Sequence, residues 1–380
     1  MRAMNANSLR AQRGFSLIEL MVGVVIGLLT VLVITQVMTL VEGKRRTVSM
    51  GSDAQVNAAL ALFTMQRDLQ QSGYGAIASP DALGCTVKYQ FGGSGTAGSF
   101  TLAPAVITAG ASATAPDSIS LVQANITGFS APILLTGAHT STDNHFTVSS
   151  SLGAAAGNLM IAAPATWDAA NWCTLFSVTN DTSAAATTLS NMNVPHVAGT
   201  SGTAQWNQNG LLPSAGYASG SYLLNMGAMV QRTYSVSATG NLQVTEVSAA
   251  DGSSTTQDLY PQIVNLKVLY GKDSDGDKVI DTYEAASPVT AADWKKVLSV
   301  RIALVARSNQ YEKELVTTAA PQWDLGGAKT VSGVTVTGSA TCNGSDQCLT
   351  LGVSQVTDWQ HYRYKVYDTI VPLRNMLWNN

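Results

Sequence analysis

The sequence predicts an α+β protein: one long N-terminal helix, apolar then amphipathic, packed on a large, mostly antiparallel β-sheet domain. Three observations predict it. An almost wholly apolar run covers residues 15–41. Apolar residues then recur at three- and four-residue spacing as far as Gln71. From Ala76 onward, short β-prone segments alternate with clusters of Gly, Ser, Asn and Pro.

The first element is the N-terminal segment. Residues 1–14 are polar and carry Arg2, Arg10 and Arg13 with no acid. The apolar run from Phe15 to Val41 is roughly 40 Å long as a helix, enough to cross a bilayer. An ordinary secretory signal has a shorter apolar core, closely followed by a small-residue cleavage site, and no such site follows here. A plain anchor fits the length but does not account for Glu19, an ionisable group four residues inside the run.

The stretch Arg13-Gly14-Phe15-Ser16-Leu17-Ile18-Glu19-Leu20 resembles the prepilin processing motif. The resemblance implies that residues 1–14 are a leader, that prepilin peptidase cuts between Gly14 and Phe15, and that Phe15 is then N-methylated. It also implies a filament role for Glu19. A carboxylate buried among apolar helices is costly unless paired, so pairing with a neighbour's terminal amine sets axial register. Lys44, Arg45 and Arg46 follow the run on the side that the motif assigns to the periplasm, against the usual charge bias. Gly23 and Gly27 form a small-xxx-small pair suited to close helix packing. No proline precedes Pro80, so no proline kinks the helix.

Residues 42–75 read as the amphipathic continuation. Val56, Ala59, Leu60, Phe63 and Leu69 are expected to form the face that covers a sheet. Gly73 and Gly75 supply the stop. Residues 76–380 are the β-rich globular part, with 76–257 and 258–380 as candidate lobes. Strands are expected at Phe100–Val106, Ser118–Val122, Tyr222–Val230 and Val236–Val247. The better patterned ones are Ile263–Tyr270, Val297–Arg307 and Tyr362–Leu373.

Charged residues make up only 12% of the 380 residues. Between Ala76 and Tyr260 only Lys88 and Arg232 are basic. No basic patch exists to neutralise phosphates, which argues against nucleic-acid binding. The four cysteines are Cys85, Cys173, Cys342 and Cys348, an even count that suits two disulfides in an exported chain. Cys342 and Cys348 bracket a short turn-rich loop that closes easily, which leaves Cys85 to pair with Cys173. Four free buried thiols are the alternative; no CxxC spacing suggests zinc.

The chemical signal lies in Asp273-Ser274-Asp275-Gly276-Asp277-Lys278-Val279-Ile280-Asp281-Thr282-Tyr283-Glu284. Asp273, Asp275, Asp277, Asp281 and Glu284, with the Val279 carbonyl, have the spacing of a calcium loop. An EF-hand wants glycine where Lys278 stands, and the flanks read as strands, so the loop is expected to take another path. Its expected cofactor is a structural calcium ion; a solvated acidic turn is the alternative. No nucleophile elbow, zinc-protease, P-loop or dinucleotide motif occurs, and the four histidines are scattered, so no enzyme is expected.

Several segments together resemble the PilW-type minor pilins. They are the processing motif, Gln66–Tyr74, Leu266–Gly271 leading into the acidic loop, Val300–Ser308 and the ending Val371-Pro372-Leu373-Arg374-Asn375. The resemblance implies a low-abundance subunit held in the inner membrane with its globular part in the periplasm before assembly. Afterwards it would sit in the type IV pilus, at the tip. Implied partners are other minor pilins, the major pilin, a tip adhesin and prepilin peptidase, with roles in priming assembly, twitching and adhesion. A surface-binding adhesin that uses the uncharged middle region, or a type II secretion pseudopilin, are the competing readings.

Overall fold

The computed structural model describes Gly14 and residues 16–93, 97–126, 130–327, 329–334, 342 and 347–379. Phe15, and with it the methylation site, lies outside the described residues. Two units are distinguished, residues 1–52 and residues 53–380.

The first unit is dominated by the apolar part of helix α1, whose full extent is Leu17–Gln71. Its stretch Leu17–Gly43 is long and apolar enough to cross a membrane, and its large side chains are all exposed. Ser16 caps the helix. Glu19 N donates to Ser16 Oγ at 3.2 Å, and Ser16 N donates to a Glu19 carboxylate oxygen at 3.1 Å. This reciprocal pair is a capping box, which satisfies two of the helix's orphan N–H groups.

The second unit is built on the rest of α1 and three larger sheets. The helix face that packs inward is Ala54, Ala58, Ala61, Met65 and Leu69. This corrects the expected face. Val56, Leu60 and Phe63 are 54%, 46% and 63% exposed, and Ala59 is exposed as well; only Leu69 is common to both sets. Both sets have helical spacing, so periodicity does not choose between them. Alanines chose, because small side chains let the helix axis approach a sheet closely, while Met65 and Leu69 fill the wider end. Burying those two contributes about 1.5–3 kcal/mol each.

Two five-stranded sheets meet this face. One runs in the order Ser254–Pro261, Asn241–Val247, Val230–Val236, Ser118–Gln123, Ala105–Thr108, all antiparallel. The other runs Thr330–Ser332, Thr282–Glu284, Ile263–Lys272, Val297–Arg307, Tyr364–Pro372, antiparallel except for its first pair. Ile263–Lys272 and Val297–Arg307 are buried almost throughout. One face joins the helix in a core with Leu266, Val268, Val300 and Ile302. The other packs Val264, Leu269, Ala303 and Val305 against Trp323 and Leu349. Burial on both faces explains why these strands read as unbroken apolar runs.

The middle of the chain adds a six-stranded sheet, ordered Gly98–Thr101, Thr86–Tyr89, Cys173–Ser177, Leu159–Ala163, Tyr222–Gly227, Ile133–Leu134. Several strands here differ from expectation. Phe100–Val106 divides between Gly98–Thr101 and Ala105–Thr108, interrupted at Leu102-Ala103-Pro104. Val236–Val247 is a hairpin, with Val230–Val236 and Asn241–Val247 joined through Gly240 at φ 78°. That backbone region is open to glycine at little cost, and it turns the chain where the hydropathy pattern runs on.

The helix end is tied from afar. Gly73, at φ 78°, donates its N–H to Val122 O at 2.7 Å. Asn375, in the last helix Arg374–Asn379, donates through Nδ2 to Gln71 O at 3.3 Å and Ser72 O at 2.8 Å. The Asn375 amide thus adds a donor to the last carbonyls of the helix and its exit, and Gly73 ties that exit to the strand Ser118–Gln123.

Candidate functional site

Two places carry the chemistry that the sequence singles out. The first is the N-terminal helix. Gly14 is exposed and stands two residues before the Ser16–Glu19 capping box. A carboxylate has two oxygens and about four lone-pair sites, so one bond to Ser16 leaves Glu19 able to accept another donor. In the second unit, Val56, Leu60 and Phe63 lie one turn apart along the exposed side of α1. They form an apolar stripe that faces away from the core of the second unit.

The second place is the acidic loop. It leaves the strand Ile263–Lys272 and returns as Thr282–Glu284, closed at the neck by Asp281 N donating to Lys272 O at 2.8 Å. Asp273, Asp275 and Asp281 bring carboxylate oxygens within 4.8 Å of one another. Asp273 is buried and accepts from Gly276 N at 2.6 Å and Lys278 N at 2.8 Å. Burial pushes its carboxyl up, but the N–H groups of Gly276, Lys278 and Asp275 outweigh that and hold it below the usual range. Asp281 accepts from Ser274 N at 2.7 Å.

The other expected ligands are placed differently. Asp277 accepts from Val279 N at 2.7 Å and stands outside the three-carboxylate cluster. Glu284 forms an ion pair with Lys272, which lies diagonally across the hairpin, two residues beyond its register partner Tyr270. The departure from an EF-hand is visible in the backbone: Lys278 is at φ 66° and Gly276 at φ 90°. A lysine in the left-handed region costs of order 1 kcal/mol, so the surrounding bonds to Asp273 hold it there. Lys278, Lys295 and Lys296 line the same hollow of about 360 Å³ as Asp273 and Asp275 and offset part of the charge.

Similarity to known families follows these two places. Residues 9–35 match the prokaryotic N-terminal methylation motif. Residues 229–375 match the family of type IV pilus-assembly protein W. Over these two segments the chain is similar to type IV pilus-assembly protein W and to pilins that carry the N-terminal methylation motif. No curated protein and no solved structure matches it.

The PilW-like match spans less than half of the chain, from the start of the strand Val230–Val236 to the start of the last helix. It contains the acidic loop. The middle region lies outside it. Cys85 pairs with Cys173, and Cys342 with Cys348, the two pairings that the sequence suggests. His139 and His145 are neighbours in sequence, but His139 pairs with His196, Nε2 to Nε2 at 2.8 Å. Phe146 stacks on His139 at a 4.0 Å centroid distance. Burial lowers the pKa of His139 to about 4, against the pull of Asp143; burial and the neighbouring His139 lower that of His196 to about 3. Both imidazoles are therefore neutral, one donating and one accepting. The two matches point to a structural pilus component, and the N-terminal motif together with a helix long and apolar enough to cross a membrane suggests anchoring before assembly.

Proposed function

We propose that the protein is a minor pilin that joins a tip complex and primes pilus assembly. The observation that carries this reading is the outward stripe of Val56, Leu60 and Phe63 on α1. Water is a poor neighbour for three large apolar side chains in line, and the apolar helix of another pilin subunit would cover them. The leader 1–14 is removed by prepilin peptidase between Gly14 and Phe15, Phe15 is methylated, and Glu19 meets the amine of the adjoining subunit. The globular part faces the periplasm before assembly and contacts other minor pilins, the major pilin and a tip adhesin afterwards.

Mass spectrometry of sheared pili tests the processing: a chain beginning at methylated Phe15, present at a few copies per filament, is expected. A chain that begins at Met1 overturns it. Gene deletion tests the role. Loss of surface pili and of twitching supports priming; normal pili with lost attachment favours an adhesin; a secretion defect alone favours a type II pseudopilin.

The cluster of Asp273, Asp275 and Asp281 supports a second, smaller reading: a structural calcium ion held by those three carboxylates, with Asp277 and the Val279 carbonyl as further oxygen donors. Three like charges so close repel unless a cation or proton intervenes. Titration calorimetry of the full chain in detergent is expected to show heat of binding that Asp275→Asn and Asp281→Asn reduce. No heat at millimolar calcium excludes the ion.

A further inference from the structure

A groove in the second unit, outside both places described above, has the lining of a saccharide site. It encloses about 480 Å³ between the end of α1, the end of the strand Ser118–Gln123 and the last helix. Two aromatic side chains stand on it: Trp378, 79% exposed, and Tyr74, 42% exposed. Gln70, Gln71, Gln123 and Asn125 bring four side-chain amides to the same groove. Among the described residues none of those four amides has a hydrogen-bond partner, although Gln70 and Gln123 are half-buried.

We propose that this groove binds a neutral, hydroxyl-rich saccharide of two or three rings. Each part of the lining matches one part of such a ligand. A pyranose ring has an apolar C–H face, which packs on an exposed indole or phenol ring with little conformational cost. Its hydroxyls both donate and accept, and a side-chain amide offers two donors and a two-lone-pair acceptor in one plane. Half-buried amides have lost part of their water, so a ligand that restores their hydrogen bonds gains more than it would at a flat surface. Among the described residues no carboxylate lines the groove, so nothing there selects a cation. Arg374 is the single charged group among the described residues that line it, and it admits an acidic sugar at its end only. The volume lies in the usual range for small-molecule sites.

The groove goes beyond the assembly role proposed above and does not rest on it. Gln123 and Trp378 lie outside the segment that matches type IV pilus-assembly protein W. A foreign surface glycan and a polysaccharide of the producing cell share this chemistry.

The test uses the full chain in nanodiscs, because sugar-headed detergents would compete. An array of neutral glucans, galactosides and N-acetylglucosamine oligomers, with uronate-bearing oligomers and the cell's own surface polysaccharide as separate arms, is probed with the wild type and two surface variants. Binding to at least one neutral oligomer is expected, with Trp378→Ala and Gln123→Ala each weakening it tenfold or more. The arm that binds identifies the source. Binding confined to uronate oligomers overturns the neutral assignment. Binding equal in wild type and both variants places any sugar site elsewhere and overturns the groove, while leaving an adhesive role open. No binding, with loss of co-purifying pilins in Trp378→Ala, makes the groove a protein contact and overturns the proposal.

Discussion

Asp68 on the helix and Arg232 on the sheet lie 2.9 Å apart, Oδ2 to Nη1. The same oxygen accepts from Tyr234 Oη at 2.6 Å, and Arg232 also reaches Glu246 at 2.7 Å. This is the polar clasp between α1 and the sheet that contains Val230–Val236. Asp68→Ala leaves the buried Tyr234 hydroxyl without its acceptor and is expected to cost about 2–3 kcal/mol; Tyr234→Phe removes both the need and the bond and is expected to cost about 1 kcal/mol. Denaturant unfolding of the two variants and of the double variant measures the difference, and equal losses would deny the clasp.

The two faces of α1 predict opposite behaviour. Leu60→Asp and Phe63→Asp face solvent and are expected to change stability by less than about 0.5 kcal/mol. Both should lower the amount recovered in sheared pili several-fold. Ala58→Leu and Ala61→Leu push against the sheets and are expected to cost about 1–3 kcal/mol through overpacking. Thermal midpoints and immunoblots of pilus fractions read both.

The disulfides differ in the loops they close. Cys85 and Cys173 are 88 residues apart, Cys342 and Cys348 only 6. Loop entropy assigns the first about 4–5 kcal/mol and the second about 2 kcal/mol. Paired Cys→Ser variants are expected to show that order in urea midpoints.

Acid should loosen the middle region. His139 and His196 are neutral in the fold, with pKa values lowered from the ordinary 6.5 to about 4 and about 3. The unfolded chain takes up their protons first as pH falls. Their contribution is therefore complete above about pH 6.5 and declines as pH drops toward 4, by up to about 1.4 kcal/mol per pH unit for each imidazole. Asp143 and His145 act on the pair from the same loop, and the Tyr217 ring stands 6.3 Å from His139. Unfolding midpoints at pH 7.5, 6 and 4.5 for wild type and His139→Gln check the slope, which should flatten in the variant.

The helix was legible because its signal is long and because Glu19 breaks it at one informative place. Its inward face was not. Val56, Leu60 and Phe63 have the spacing of a core face, and the chain leaves them exposed while a second stripe at the same spacing packs inward. Val297–Arg307 was read to the residue, since burial on both faces leaves an uninterrupted apolar run. The middle strands were blurred because they are two to six residues long and one hairpin turn hides inside a hydropathic stretch. In the acidic loop the spacing gathered Asp273, Asp275 and Asp281, but it carries no information that the Lys272 side chain engages Glu284. His139–His196 and Tyr74–Trp378 bring together residues 57 and about 300 positions apart, which only the sheet topology decides.

Asn375 reaches back to Ser72 across 303 residues. At roughly 5–20 residues per second of synthesis, about 15–60 s separate the two. The helix end therefore waits for its last hydrogen-bond donors until the sheets between have been made. With the apolar helix at the start of the chain, this sets an order of events: that helix is made early and closure comes late. An assembly machine that engages the finished globular unit would pass over chains still in the making.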